Sequence, residues 1–213
     1  MKKENNDNTS RNTQIEEFLS DRYEFRYNTV LNRAEYRLRG TGDYTAIDRY
    51  RINTLKRALD KEAGVQTSPE NLYSIIESDF SPRINPVQAY FHSLPIMEEA
   101  KKGAITALAD CVRVANPEKW KEYLTKWLVA VVANAMDDKQ CRNHTCLVLT
   151  GEQGKFKTTF LDLLCPPSLS DYRYTGKIYP QEKDVLSLIG QNLIINIDDQ
   201  LKALNKRDEN ELK

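Results

Sequence analysis

The stretch CLVLTGEQGKFKTTFLDLL, residues 146–164, constrains the fold of this 213-residue chain more than any other feature. It predicts an apolar strand, a glycine-bearing loop, a Lys-Thr pair and an apolar helix, which is the order of a phosphate-binding loop. Such a loop wraps phosphates with backbone N–H groups, while its lysine neutralises the outer phosphates and the next hydroxyl contacts Mg²⁺. The segment therefore predicts a site for ATP and Mg²⁺. Its predicted nucleotide contacts are Gly151, Gln153, Gly154, Lys155, Phe156, Lys157, Thr158 and Thr159, and Thr158 is also a predicted metal contact.

One position departs from the motif G-x-x-x-x-G-K-[ST]. Phe156 stands where the second glycine is expected, directly before Lys157. A side chain is tolerated at this position if its backbone φ is negative, so we expect a negative φ at Phe156 and a retained nucleotide site. The alternative is a strand, a loop and a helix in which the Lys-Thr pair occurs by chance.

A second apolar segment, NLIINIDDQ at residues 192–200, ends in two carboxylates. In open α/β sheets ligands bind at the carboxyl ends of strands, and a magnesium-dependent NTPase needs acidic groups near the metal and the attacking water. We therefore expect Asp198 to contact the metal and Asp199 to be the catalytic residue that polarises the water. The alternative is a buried strand followed by ordinary acidic loop residues.

The segment YEFRYNTVLNRAEYRLRG, residues 23–40, alternates with a period of two and predicts a β-hairpin. The turn is predicted at residues 30–33, with Asn32 in the left-handed conformation. The residues predicted to share faces are Phe25, Tyr27 and Thr29 on the first strand and Ala34, Tyr36 and Leu38 on the return strand.

Arginines alternate with tyrosines along the same hairpin, which is a pattern suited to contact with DNA. The candidate DNA-binding residues are Arg26, Arg33 and Arg37. The alternative is a solvated face whose positive charge is partly offset by Glu24 and Glu35.

Helix start and stop signals follow the hairpin. Pro69, Pro86 and Pro117 each follow a Ser or Asn, which predicts three capped helix starts, and Gly64 predicts a helix end. The predicted organisation is a disordered leader at 1–20, a hairpin-plus-helices module at 21–95, and a helical lead-in with a partial P-loop NTPase domain at 96–213. The predicted fold class is mixed α/β.

Charge and hydropathy limit the classes of partner. The 31 basic and 31 acidic residues balance, so contact with nucleic acid requires a local patch rather than a global field. No window approaches the roughly 20 apolar residues of a membrane span. The four cysteines are scattered, which is typical of reduced thiols in a cytoplasmic protein.

Several segments carry a resemblance to a known family. They are NPVQAYFHSLP, KWKEYLTKWLVAVVANAMDD, NHTCLVLTGEQGKFKTTFLDLLCPP, KDVLSLIGQNLIINIDD and LNKRDENELK. The chain resembles the virulence-associated protein E family, primase-helicase-like proteins of bacterial mobile elements and prophages, from about Arg22 to its end. The likeness is to Bacteroides-type members, whose loop is similar to that of superfamily 3 helicases and often has an aromatic before the lysine. The resemblance implies that Phe156 is a family variant, and that the intact protein forms a homo-oligomeric ring acting on DNA.

The resemblance also sets expectations about activity. The family commonly has Asp-Glu where this chain has Asp198-Asp199, and its sensor strand and arginine finger would follow Lys213. We therefore expect a fragment, truncated after the second acidic motif, of an ATP-binding, helicase-like NTPase of DNA replication, with little turnover of its own. The alternative is a nonenzymatic replication adaptor that binds DNA or protein, in which nucleotide binding is structural or absent.

Overall fold

A computed structural model describes residues 10–96, 103–137, 145–179 and 183–197. Helices and strands are both present, so the predicted mixed α/β fold class is confirmed. The chain divides into two compact units, Met1–Pro86 (the first unit) and Val87–Lys213 (the second unit). The boundary predicted from the sequence lies further along the chain, between residues 95 and 96. Among the described residues, no helix combines the length and the hydropathy that crossing a membrane requires.

The first unit consists of a small mixed sheet and three helices. Its elements are α1 (Arg11–Arg22), β1 (Tyr23–Asn28), β2 (Arg33–Leu38), β3 (Thr45–Ala46), α2 (Arg49–Ala58) with a π-helical turn (Leu59–Ala63), α3 (Pro69–Ile76) and β4 (Arg83–Ile84). The strand order is β3-β2-β1-β4. Strands β1, β2 and β3 are antiparallel neighbours, whereas β4 runs parallel to β1.

The hairpin prediction is confirmed in its strand pairing and at Asn32, whereas Thr29 lies in the turn and Leu38 is 60% exposed. Strand β1 pairs with β2 so that Phe25 lies opposite Tyr36 and Tyr27 lies opposite Ala34. The turn occupies residues 29–32, one position earlier than predicted, and Asn32 has φ 50°. The apolar face of the hairpin packs on the three helices, and the buried residues of this core are Ile15, Phe18, Leu19, Phe25, Ala34, Ile52, Leu55, Leu59, Leu72, Ile75 and Ile76.

The predicted disordered leader is wrong from residue 11 onward, because helix α1 occupies this segment. Ser10 accepts a hydrogen bond from the Thr13 backbone N–H and caps the helix. Ile15 and Leu19 are fully buried in the core. These two residues lie one helical turn apart and share a face with Phe18, and this short apolar stripe outweighs the polar composition around it. Residues 1–9 lie outside the described residues.

Two of the three predicted caps and the predicted helix end at Gly64 are confirmed. The Ser68 hydroxyl accepts from the Asn71 backbone N–H at the start of α3, at 3.1 Å. Gly64 ends the π-helical turn with φ 65°, a conformation in which a side chain would be strained. Helix α4 (Pro86–Ser93) begins at its predicted proline. The Asn116 side chain caps helix α6 (Pro117–Met136) by accepting from the Lys119 N–H.

The second unit contains the predicted loop and its helix. Its further elements are α5 (Ala104–Asp110), α7 (Lys157–Leu163), a 3₁₀ turn (Pro167–Tyr172), β5 (Arg173–Gly176), α8 (Val185–Gln191) and β6 (Ile194–Ile197). Strands β5 and β6 form a parallel pair. Strand β6 is the predicted second apolar strand, whereas β5 was not predicted.

A small apolar core joins α5, α6, α7 and the segment before the loop. Its buried residues are Ala109, Trp120 and Leu124, against which Leu147, Leu149 and Phe160 pack. The apolar side chains of α6 are only partly buried, since Tyr123 and Val132 remain exposed.

The strand predicted at residues 146–150 is wrong as a hydrogen-bonded strand. Leu147 and Leu149 pack on the core while Val148 between them is exposed, which is the side-chain alternation of a strand. Within the described parts of the chain, however, this segment joins no sheet. Strand assignment requires a partner for the backbone N–H and C=O groups, and sequence alternation alone does not supply one.

Candidate functional site

The loop before α7 has a backbone that favours glycine at three positions. Gly151 has φ 151°, Gly154 has φ 79° and Phe156 has φ 56° with ψ 25°. The expectation of a negative φ at Phe156 is therefore wrong. Phe156 has the left-handed conformation that glycine adopts readily, at a cost of about 1–2 kcal/mol for a residue with a Cβ. The Phe156 side chain is 78% exposed, so little packing offsets this cost.

Lys157 is the first residue of α7, and its side chain folds back over the loop. Its Nζ donates to the backbone carbonyls of Gly151, at 3.2 Å, and of Glu152, at 2.8 Å. No carboxylate of the described residues pairs with this ammonium group. Lys155 differs, because its Nζ lies 3.5 Å from the Glu152 carboxylate on the exposed side of the loop.

The remaining predicted nucleotide contacts lie close to this lysine in the chain. Gln153 belongs to the exposed turn, and Thr159 is exposed in the first turn of α7. Thr158 is partly buried beside Lys157. The structure therefore brings the predicted contacts together in one loop and one helical turn, as their order in the sequence requires. Binding of ATP or Mg²⁺ by these residues stays a prediction.

Helix α7 is attached to its surroundings on two sides. The Phe160 ring lies against the Trp120 ring of α6, with 6.2 Å between the centroids. On the other side, the Asn196 amide of β6 donates to the Thr158 carbonyl, at 3.3 Å, and to Asp162 Oδ1, at 2.9 Å. Asn196 is only 5% exposed.

Strand β5 contributes two further bonds to α7. The Thr175 hydroxyl lies 2.6 Å from Asp162 Oδ1, and an Arg173 guanidinium N–H donates to the Asp162 carbonyl at 2.8 Å. Sequence reasoning missed Asp162, Thr175 and Asn196. The available signal was the polar Asn196 between Ile195 and Ile197, since a polar side chain in a buried strand needs a hydrogen-bonding partner.

The predicted acidic pair, Asp198 and Asp199, lies outside the described residues. Strand β6 ends at Ile197, directly before Asp198 in the sequence. The roles predicted for the two carboxylates stay predictions.

The candidate DNA-binding arginines lie on the polar face of the first unit's sheet, where Glu35 holds two of them. Arg26 donates to Glu35 Oε2 through two guanidinium nitrogens, at 2.8 and 2.6 Å, and Arg33 donates to Oε1 at 2.9 Å. The Asn28 amide also donates to Oε1, at 2.9 Å. Burial raises the pKa of Glu35, but the hydrogen bonds from Asn28, Arg26 and Arg33 outweigh burial, and the net shift of the pKa is downward.

Arg37 is held by the second glutamate of this face. It donates to Glu24 Oε2 at 2.8 and 2.6 Å, and this hydrogen bonding lowers the pKa of Glu24. The Tyr44 ring lies below the guanidinium groups of both Arg26 and Arg37, at 3.9 and 4.6 Å from the ring centroid. The three arginines thus form one cluster with two carboxylates and a tyrosine, and their contact with DNA stays a prediction.

Comparison with known proteins identifies the family of the second unit. The model of the virulence-associated protein E-like domain matches residues 97–213, which is more than half of the chain. The matched range contains the loop, α7, β5 and β6, whereas the sheet of the first unit precedes it. No curated protein matches the chain. This match confirms the family resemblance stated from the sequence over residues 97–213, and the part of the resemblance that begins near Arg22 stays a prediction.

Proposed function

Since the chain belongs to the virulence-associated protein E-like family, we propose that it binds ATP with Mg²⁺ at the loop before α7. In this proposal it acts as part of a helicase-like NTPase that serves DNA replication in a mobile element or prophage. The observation that carries the proposal is Lys157, whose ammonium group lies over the loop and contacts only neutral carbonyl oxygens among the described residues. The motif around it and the family membership support the same function.

The chemistry of the loop suits phosphate. A phosphate oxygen carries negative charge, and hydrogen bonds between charged partners are roughly twice as strong as those between neutral ones. Lys157 therefore gains by exchanging the Gly151 and Glu152 carbonyls for phosphate oxygens. The left-handed residues Gly154 and Phe156 turn the backbone immediately before α7, which lets successive N–H groups face one anion.

Oxygen-donating residues in this region fit Mg²⁺, which binds through one or two protein oxygens together with phosphate oxygens and waters. In the sequence, Thr158 follows Lys157 directly, and Asp198 follows the last residue of β6 directly. In the proposed site these two residues contact the metal, and Asp199 holds the attacking water. When bound, the ion neutralises charge on the transferred phosphoryl group.

The partners in this proposal are suggested by the family and not by the geometry of the described residues. Members of such a family are expected to act on DNA as rings, so DNA and further copies of the chain are the proposed partners. Phosphate release from labelled ATP that is lost in Lys157→Ala would favour the NTPase, because a nonenzymatic adaptor binds ATP without releasing phosphate.

The proposal is tested by calorimetric titration of ATP in the presence of Mg²⁺. Replacing Lys157 with Ala removes a charged hydrogen-bond donor, which contributes roughly 1.5–3 kcal/mol, so affinity should fall about tenfold or more. Lys126→Ala is the matched control. It removes the same charge from an exposed side chain of α6 that pairs with Glu122, outside the predicted nucleotide contacts, and should change affinity by less than about twofold. Equal affinity of the wild type and Lys157→Ala would contradict the proposal.

A further inference from the structure

We propose that Asn196 and Asp162 form a positioning pair that fixes helix α7, which follows the phosphate-binding loop, at one position along strand β6. The inference deepens the proposed function and rests on it, because it concerns the placement of Thr158 within the same nucleotide site. Neither residue belongs to the loop motif, and neither is offered as a contact of the nucleotide.

The bonds of Asn196 span one turn of α7. Its amide nitrogen reaches the Thr158 carbonyl at 3.3 Å and Asp162 Oδ1 at 2.9 Å. Thr158 and Asp162 are four residues apart, so they lie on the same face of the helix. The Thr158 carbonyl points along the helix axis toward residue 162, so both acceptors lie beside the same amide nitrogen. Asn196 therefore bonds α7 at one place on its surface, which opposes sliding of the helix along β6.

Strand β5 also forms hydrogen bonds with Asp162. Thr175 lies directly beside Asn196 in the parallel pair, and both side chains donate to Asp162 Oδ1. Arg173, two residues earlier on β5, donates to the Asp162 carbonyl. A single carboxylate of α7 is thus bonded to both strands of the sheet.

Packing alone does not explain an asparagine at this point of the strand. Ile194 and Asn196 are the two buried residues of β6, and an apolar side chain would fill the second position without the cost of desolvating an amide. Apolar contacts are non-directional, whereas hydrogen bonds require particular distances and angles. The amide therefore contributes a fixed geometry between the helix and the strand.

The residue that Asn196 holds is the residue whose hydroxyl is proposed to contact the metal. Thr158 follows Lys157 in the sequence, and Asp198, the other proposed metal contact, follows the last residue of β6, Ile197, in the sequence. A displacement of α7 along β6 moves the Thr158 hydroxyl relative to the strand. Displacements of about 1 Å are enough to impair a site of this kind. Lys157 contacts phosphate through a long, flexible side chain and tolerates such a displacement better.

The test compares ATP affinity with and without Mg²⁺ in the wild type and in Asn196→Leu, a variant of similar size that cannot donate. Affinity without Mg²⁺ should stay within about twofold of wild type, because Lys157 is retained. The increase in affinity that Mg²⁺ causes should fall about five- to tenfold, as expected for the loss of one to two hydrogen bonds.

Two matched variants separate positioning from general loss of stability. Asn192→Ala removes an amide of the same kind, which donates to the Leu188 carbonyl of α8 at 2.7 Å, and should leave the Mg²⁺-dependent increase unchanged. Asp162→Asn keeps an oxygen that accepts from Asn196 and Thr175 and should retain the increase, whereas Asp162→Ala should lose it. This second pair gives the answer if Asn196→Leu does not fold.

The outcomes distinguish the two proposals. No measurable ATP binding by the wild type overturns the proposed function and the positioning role with it. A full Mg²⁺-dependent increase in Asn196→Leu or in Asp162→Ala overturns the positioning role alone. Equal losses with and without Mg²⁺, shared by Asn192→Ala, show a purely structural role and overturn it as well.

Discussion

The polar face of the first unit's sheet and the loop before α7 both present cations, but they neutralise them differently. On the sheet, Arg26 and Arg33 bind Glu35, and Arg37 binds Glu24. On the loop, Lys157 contacts only the carbonyls of Gly151 and Glu152 among the described residues. In the first arrangement two carboxylates compensate most of the charge of three arginines, whereas the lysine keeps a full positive charge beside neutral groups within the described part of the chain.

This difference decides how each region responds to an anion. A phosphate approaching the sheet must compete with carboxylates that are already bonded at 2.6–2.8 Å. A phosphate approaching Lys157 displaces carbonyl groups, which are weaker acceptors. A count of positive residues in the sequence does not distinguish the two regions. They differ in the groups that accept hydrogen bonds from the cations. We therefore assign the arginine cluster first to stability and the lysine first to binding.

The largest expected effect that tests this assignment is on stability. Glu35 is 2% exposed, and replacing it with Ala leaves Arg26, Arg33 and Asn28 without their shared acceptor. Removing one partner of a buried ion pair costs about 3–5 kcal/mol, and the lower end applies here because the guanidinium groups reach solvent. Urea unfolding monitored by circular dichroism measures the change.

Glu24→Ala is the matched control for this prediction. Its ion pair with Arg37 is more exposed than that of Glu35, so the same replacement should destabilise the protein clearly less than Glu35→Ala does. Similar costs for the two variants would show that the face has no buried, structural centre.

Protonation of Glu35 is a milder form of the same change, since the side chain stays in place. Its pKa in the folded protein lies below its ordinary value. The stabilisation is therefore fully present above the unfolded pKa of about 4.3 and is lost as the pH falls through the lower, folded pKa. Urea unfolding between pH 5 and pH 3 should show this loss in the wild type, and a shallower pH dependence in Glu35→Gln. Identical slopes for the two proteins would exclude Glu35 as the source.

The features that the sequence predicted correctly are those with local causes. The hairpin follows from a two-residue alternation and from Asn32, and the helix starts follow from side chains that bond to N–H groups three residues away. The loop residues are adjacent in the chain, so their clustering needed no tertiary information. Family membership was readable for the same reason, because its motifs are contiguous.

The features that were missed depend on partners that are distant in the sequence. Strand β5 exists because it pairs with β6, and the segment at 146–150 is not a strand because it has no such pair among the described residues. Asp162 and Asn196 are 34 residues apart and meet only through the packing of α7 on the sheet. The sign of φ at Phe156 was predicted from what a phenylalanine prefers, and the loop around it imposed the opposite sign.

The DNA prediction for the arginines can be examined with variants of opposite expected sign. Glu24→Gln removes the carboxylate that neutralises Arg37 and leaves this arginine able to bind phosphate, whereas Arg37→Gln removes the cation itself. If the face contacts duplex DNA, the first change strengthens binding, and the second weakens it and reduces the slope of log K against log salt by about 0.9. Fluorescence anisotropy at several salt concentrations measures both. No change in either variant would leave the arginine cluster with its structural role alone.

The smallest expected effect concerns Phe156, where the loop itself carries a cost. A left-handed residue with a Cβ is destabilised by about 1–2 kcal/mol, while glycine loses about 0.5–1 kcal/mol more backbone entropy on folding. The exposed Phe156 ring contributes little packing, so the first term outweighs the second and Phe156→Gly should stabilise the protein by up to about 1 kcal/mol. Phe156→Val should destabilise it by about 1 kcal/mol, because a β-branched side chain fits the left-handed region worst. Urea unfolding of both variants without nucleotide measures the two changes. If glycine destabilised the protein and valine did not, the loop in solution would have a negative φ at this residue. Phe156 would then fit the motif as the sequence first suggested, by avoiding the glycine conformation rather than by adopting it.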